Sequence, residues 1–278
     1  MNKIQFVAIG FDDNEMNDSM RWAVDTFTKR KNPDGTKCDC AFYLSSEYME
    51  QARDSWIYAY QNGCEIGCHT HSHPDGKENN FSVNNWIEEM SKCVDILTDK
   101  QTGIGIERSE IKGFRTPFLA HNENMPEAVK KMGFIYDCSI EEGLEENEDG
   151  TNFKFPYKLE NGIWELPAYC LIVPENLREK YKTDKVTGFD WNYFVEYEMT
   201  ADDVLAMLKH TLDLRLAGNR TPFLLGAHTG IYSEVQDAEP TVKVSIKERR
   251  RVIEEFLDYA QSKPDVVICS PIKVLEKM

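Results

Sequence analysis

Short apolar runs alternate with amphipathic helices along the whole chain, and this alternation restricts the fold more than any other feature. Residues 4–9, 41–44, 65–68, 111–114, 134–136, 163–166, 223–226 and 266–269 read as strands. The helices between them have legible ends. Ser82 precedes Val83, Trp86, Ile87, Met90, Val94 and Leu97, a spacing that puts all six on one face. Thr200 opens a helix that runs through Val204, Leu205, Leu208 and Leu212 to Gly218, and Ser245 with Glu248 forms a capping box before Val252, Ile253, Phe256 and Leu257. Strand and helix alternating in this way predict an α/β chain with a parallel sheet and right-handed crossovers, either closed as a barrel or open and doubly wound. In both architectures, reactive side chains are expected at the C-terminal ends of strands, where the loops to the following helices gather.

A chain of 278 residues with 14 Phe, 12 Tyr and 5 Trp can build a large core, and no repeat or low-complexity linker divides it, so residues 1–278 read as one domain. The main interruption, residues 141–161, is acidic and Gly-bearing and reads as a long loop. The net charge of -16 repels phosphate backbones and argues against nucleic acid as a partner, while suiting a neutral substrate whose product is cationic. No run approaches the roughly 20 apolar residues of a membrane span. Residues 1–10 alternate like a strand and lack the form of a signal peptide, which is compatible with the cytosol or with export after removal of a leader. The 8 Cys show no paired CxxC spacing, which argues against a zinc ribbon and leaves one or two disulfides or buried free thiols as alternatives.

Four segments at predicted strand ends carry chemistry. The first strand ends in Gly10-Phe11-Asp12-Asp13-Asn14. Neighbours on a strand point to opposite faces, yet where the chain turns both carboxylates can reach one cavity. The third ends in His69-Thr70-His71-Ser72-His73-Pro74, half of the chain's 6 His within five residues. A helical turn or tight loop would aim His69 and His73 at one point, and a strand would bring His69, His71 and His73 to one side. Two imidazoles with one carboxylate make a facial set that leaves positions for water and substrate, as in catalytic metal sites. Gly113-Phe114-Arg115-Thr116-Pro117-Phe118 places an Arg where it can orient a carboxylate, and Leu225-Gly226-Ala227-His228 delivers a further His after an apolar stretch.

In order and spacing these segments resemble the motifs of the polysaccharide deacetylases of carbohydrate esterase family 4. Phe11-Asp12-Asp13, His69-Thr70 with His73 three residues after Thr70, Arg115-Thr116-Pro117-Phe118 and Leu225-Gly226-Ala227-His228 are the matching stretches. Residues 31–35, 136–140, 155–157 and 219–223 look most like the chitin deacetylase branch. The resemblance implies a distorted (β/α) barrel of seven or eight strands and a metal-dependent hydrolase that removes the acetyl group from N-acetylglucosamine units of chitin or chito-oligosaccharides. Peptidoglycan, acetylxylan or a small amide as substrate, or a carbohydrate-binding pseudoenzyme, are the alternatives.

By the same resemblance Asp12 is the general base, Asp13, His69 and His73 hold a divalent ion such as Zn2+ or Co2+, Arg115 holds Asp12, and His228 is the general acid. A backbone N–H near Phe118, after Pro117, would meet the oxyanion, and Trp164 is the expected aromatic contact for substrate. Two departures stand out: Phe118 replaces the usual Tyr of the third motif, and Phe155 replaces the usual Trp of the fourth. The carboxylate that tunes His228 is therefore expected to be Asp137, with Asp190 beside Trp191 as the second candidate. His71, His121 and His210 read as bystanders. The resemblance also implies a secreted or cell-envelope setting.

Overall fold

A computed structural model describes residues 4–145, 148–235 and 240–278. The first three residues of the predicted N-terminal strand pattern and residues 146 and 147 of the acidic insertion lie outside the described residues. Twelve strands occur among the described residues. They are β1 (Gln5–Asp12), β2 (Ala41–Leu44), β3 (Glu65–Cys68), β4 (Gly113–Phe114), β5 (Tyr136–Asp137), β6 (Glu141–Glu142), β7 (Tyr157–Lys158), β8 (Trp164–Glu165), β9 (Ala168–Ile172), β10 (Lys185–Thr187), β11 (Phe223–His228) and β12 (Val266–Ile268).

The main sheet runs β11-β1-β2-β3-β4-β5-β8-β7, with β12 also paired to β1. All of its pairs are parallel except β7 with β8. A second sheet, β10-β9-β6, meets β11 through the bridge from Phe189 to Gly226. The result is a curled half-barrel, the barrel-like alternative of the two that the strand–helix alternation allows, with no pairing between β7 and β11 at its ends among the described residues.

Helices α1 (Asn17–Thr28), α2 (Met49–Gln61), α3 (Val83–Thr98), α4 (Met125–Met132), α5 (Glu175–Tyr181), α6 (Ala201–Ala217), α7 (Ile246–Gln261) and α8 (Pro271–Lys277) connect the strands. The predicted caps form, but the Glu248 side chain turns to Arg251, so only the Ser245 half of the expected capping box is made, and a reciprocal box forms instead between Ser82 and Asn85. Ser82, Thr200 and Ser245 each accept a backbone N–H three residues on, and substitution of such a cap by Ala costs about 1 kcal/mol. Among the described residues, no helix is long and apolar enough to cross a membrane. All 8 Cys are buried free thiols, which settles the alternative between disulfides and thiols.

Alternation along the strands separates two cores. On β1, Val7, Ile9 and Phe11 face the helical layer, while Phe6 and Ala8 face the barrel interior with Tyr43, Tyr136 and Leu224. Burial on both faces explains why this strand is an unbroken apolar run. The interior is narrow. A Cβ on Gly10 would lie 2.6 Å from the Tyr43 ring, and one on Gly226 would lie 2.1 Å from Phe189, so both positions require Gly for space.

Candidate catalytic and metal site

The same alternation decides what reaches the barrel mouth. Asp12 follows Phe6, Ala8 and Gly10 on the inward face of β1, and His228 follows Leu224 and Gly226 on the inward face of β11. The two are register partners across the parallel pair, so neighbouring strand ends deliver a carboxylate and an imidazole side by side.

Asp13 joins them because the chain reverses immediately after the strand. Asp13 and Asn14 adopt left-handed backbone angles, φ 62 and 69, which non-Gly residues enter at a cost of about 1–2 kcal/mol each. Asn14 offsets this cost. Its side-chain amide donates to the carbonyls of Phe11 (2.8 Å) and Tyr43 (2.9 Å), and its own carbonyl accepts from the Trp56 indole at 2.8 Å. The turn that would let both carboxylates reach one cavity is thus built by a buried Asn.

His69 and His73 sit on an irregular loop after β3, with Thr70 and His73 at φ 69 and 52, so the loop alternative holds and the helical turn and strand do not. Glu89 of α3 fixes this loop by accepting the backbone N–H groups of His71 (3.0 Å) and Ser72 (2.9 Å). Sequence reading passed over Glu89 because it lies off the apolar stripe of its helix. His71 turns to Ser46 Oγ at 2.8 Å, and His121 bonds the Leu119 carbonyl at 3.0 Å.

Asp13, His69 and His73 converge, with one ligand atom from each lying within 4.8 Å of the others. His73 Nε2 is 3.0 Å and His69 Nε2 is 3.6 Å from Asp13 Oδ1. The Nδ1 of buried His69 lies 2.8 Å from the carbonyl of Arg115, which can only accept, so Nδ1 carries the proton and Nε2 presents a lone pair to Asp13. Asp13 Oδ1 is itself buried without a hydrogen-bond donor. Lone pairs that face one another out of water need a cation, and one carboxylate with two imidazoles suits a divalent ion of the zinc type. The residues present therefore fit the group.

Electrostatics follow from the same neighbours. Burial alone would raise the Asp13 carboxyl, but the close approach of His73 and the charges of His69 and His228 hold it far below the usual carboxylate range. Burial lowers His69. His73 also feels burial, which the Asp13 and Asp12 carboxylates outweigh, so it moves up.

On the other side of Asp13 stands Asp12, buried and held by Arg115 Nη1 at 2.7 Å. The guanidinium lies over the Tyr43 ring at 4.3 Å and near the Phe189 ring at 5.1 Å, and donates to the Cys138 carbonyl. Its pose is fixed from every side, which fixes one Asp12 oxygen.

The carboxylate that meets His228 is Asp190. Its Oδ1 is 2.7 Å from His228 Nδ1 and its Oδ2 accepts the His228 backbone N–H at 2.8 Å. Burial works to lower His228, yet Asp190 outweighs it and the imidazole rises to about 10. Asp190 precedes a π-helical turn, Trp191–Glu196, that brings Trp191, Asn192 and Glu196 into the cleft. Asp137, the first choice for this role, lies elsewhere. Tyr136 takes the inward position on β5, so Asp137 points to the outer face and bonds Ser139 Oγ at 2.6 Å.

The cleft measures about 710 Å³ and is lined by Asp12, Asp13, His69, His73 and His228 together with Glu15, Glu141 and Lys77. Phe118 forms part of its wall, 67% exposed, at a left-handed φ of 57, with its ring 4.5 Å from that of His73. Pro117 is buried beneath and does not line it. Trp164 does not line it either. Trp164 packs against the interior core with the Lys158 ammonium 5.3 Å from its ring, and the exposed indole at the cleft is Trp191.

Comparison with known proteins fits this arrangement. The family model for polysaccharide deacetylase matches residues 2–136. A Mycobacterium smegmatis protein presented as a candidate polysaccharide deacetylase superposes with a TM-score of 0.69 at 14% identity, covering 100% of this chain and 91% of that one. The Xyl-CE4 domain of a multidomain xylanase from the hindgut metagenome of Trinervitermes trinervoides gives 0.54 at 12% identity, covering 99% and 91%. A peptidoglycan deacetylase from Bacillus subtilis gives 0.51 at 12%, covering 99% and 92%. No curated protein sequence matches. The chain as a whole has the barrel-like fold of the carbohydrate esterase family 4 deacetylases.

Proposed function

We propose that residues 1–278 form one catalytic unit that hydrolyses the N-acetyl group of N-acetylglucosamine units in a neutral polymer of the chitin type, with a divalent ion, zinc or alternatively cobalt, held by Asp13, His69 and His73. The observation that carries the reading is the convergence of those three ligand atoms within 4.8 Å, in the one cleft that also holds Asp12 and His228. The ion supplies polarisation of the acetyl carbonyl and a lowered water pKa, from about 16 towards about 7.

The protein's own groups account for the remaining steps. Asp12, aligned by Arg115 through one oxygen, accepts the proton of the attacking water with the other. A backbone N–H on the strained turn at Phe118 donates to the developing oxyanion. Nδ1 of His228 is engaged by Asp190, which leaves Nε2 to deliver a proton to the departing nitrogen, and an amide nitrogen leaves poorly without one. Acetate and a free amine result.

Substrate preference follows from the wall of the cleft. Glu15, Glu141 and Glu196 face a single Lys77, a balance that repels anionic polymers and tolerates a neutral chain and its cationic product. Trp191, 40% exposed, and Phe118 offer apolar faces on which sugar rings stack. Acetate release measured on chitin oligomers, peptidoglycan, acetylxylan and simple amides, with chelator and with zinc or cobalt restored, tests the reading. Chelator-sensitive release that is greatest on chitin oligomers is expected. Equal release from anionic peptidoglycan would overturn the substrate class, and chelator-resistant release would overturn the metal.

A further inference from the structure

We propose that the buried Asp137–Glu165 pair is a positioning device for His69, acting through Ser139 and the Arg115–Thr116 peptide group; this inference rests on the metal-centre reading above. His69 Nδ1 donates to the carbonyl of Arg115 at 2.8 Å. The N–H of that same peptide unit belongs to Thr116 and donates to Ser139 Oγ at 2.8 Å. Ser139 donates onward to Asp137 Oδ1 at 2.6 Å. The first two directions are forced, because a carbonyl only accepts and an amide N–H only donates, and the hydroxyl proton goes to Asp137 when the proton of the carboxyl pair sits on Glu165. One unbranched chain of hydrogen bonds therefore runs from a metal-facing imidazole to a carboxylate on the far side of the barrel wall.

The far end of the chain is built to hold a charge. Glu165 is the register partner of Asp137 on the neighbouring parallel strand, both side chains are fully buried, and Glu165 Oε1 accepts the Ile140 N–H at 3.0 Å. Asp137 Oδ2 and Glu165 Oε2 have no other partner. Two adjacent carboxyls shut off from water share one proton and keep one negative charge. Burial raises Asp137, and burial together with the Asp137 charge pushes Glu165 well above the usual carboxylate range, as such a pair requires.

Charge at the end of a hydrogen-bond chain in a low dielectric polarises every link. A stronger hold on the Thr116 N–H makes the Arg115 carbonyl a better acceptor. That in turn fixes the His69 ring and increases electron density at its Nε2, as carboxylates do when they bond a metal-ligating imidazole directly. The same Thr116 anchor holds the start of the turn on which Phe118 and Leu119 adopt left-handed angles, φ 57 and 54. If the pair served only to cap this loop, its loss would lower stability and leave metal affinity unchanged.

Titration of the purified full chain with zinc and cobalt(II), with a thermal midpoint recorded for every variant, separates the two roles. Ser139→Ala cuts the chain and is expected to weaken cobalt binding about tenfold, with a shift of the visible cobalt band. Asp137→Asn keeps an acceptor for Ser139 but removes the charge, so it should weaken binding less and shift the band in the same direction; it carries the test if Ser139→Ala does not fold. Ser139→Thr restores the hydroxyl and should recover affinity. Thr211→Val removes another buried hydroxyl, one that accepts the Ile172 N–H at 2.9 Å away from this chain, and should lower the thermal midpoint with metal affinity intact. Unchanged cobalt affinity in both Ser139→Ala and Asp137→Asn, or an equal loss in Thr211→Val, overturns the relay. A wild-type chain that binds no cobalt overturns the metal centre itself, which is a separate outcome.

Discussion

Asp12 and Asp137 both end a parallel strand at the barrel mouth, both are buried, and they do opposite things. Asp12 lies on the inward face, paired with the Arg115 guanidinium at 2.7 Å and open to the cleft through its second oxygen. Asp137 lies on the outward face, bonded to Ser139 and matched with Glu165. A strand-end position makes a carboxylate available for function, and the face and the partner decide which function. A carboxylate beside a cation is held in place by it, whereas one beside another acid shares a proton.

The inward group can be broken most severely by removing its ligands. Asp13→Ala or His69→Ala should abolish metal binding and reduce acetate release by at least about 10³-fold, followed by metal analysis of the purified protein alongside the assay. Asp12→Asn comes next. It should lose activity by about 10³-fold yet bind metal as wild type does, and normal turnover in this variant would remove the base assignment.

His228→Ala should slow amides by about 10²-fold and slow esters with good leaving groups much less, since only the amine needs a proton. Asp190→Asn should preserve the imidazole but withdraw the charge that raises it to about 10. The alkaline limb of the kcat/KM profile, where the acid form is lost, should then move to lower pH, and an unmoved limb would separate Asp190 from the acid.

A third acid extends the contrast between paired and unpaired carboxyls. Glu65, at the start of β3, is partly buried with Tyr136 and the Ile272 N–H as partners, and its loss of solvent pushes it up to about 7. Its folded pKa lies above the unfolded value of about 4.3, so the native state favours the protonated form. The stability this gives is present below about pH 4 and is lost as pH rises through about 7, by something of order 3 kcal/mol. Glu65→Gln should therefore be more stable than wild type at pH 8, less so at pH 5, and unchanged in activity, as read by denaturant unfolding at the two pH values.

Much of this was legible in the sequence because it rests on local rules. Caps at Ser82, Thr200 and Ser245, the apolar runs, and the Asp-Asp and His-rich segments at strand ends all follow from period and residue type. The Asp137 expectation failed by parity. Tyr136 fills the inward position, so the next residue on a strand cannot also point in. Asp190 was harder to see because its place depends on non-local pairing: the short strand β10, the single bridge from Phe189 to Gly226, and a π-helical turn with no sequence period of its own. Its adjacency to Trp191 was the available signal. Strand β9, Ala168–Ile172, has no counterpart among the strands read from the sequence.

Metal titration followed by equilibrium dialysis on three proteins addresses the central claim most directly. Wild type and Asp12→Asn should each retain one equivalent of zinc or cobalt, and Asp13→Ala none. Retention of a full equivalent by Asp13→Ala, or its loss from Asp12→Asn, would contradict the division of this carboxylate pair into one ligand and one base.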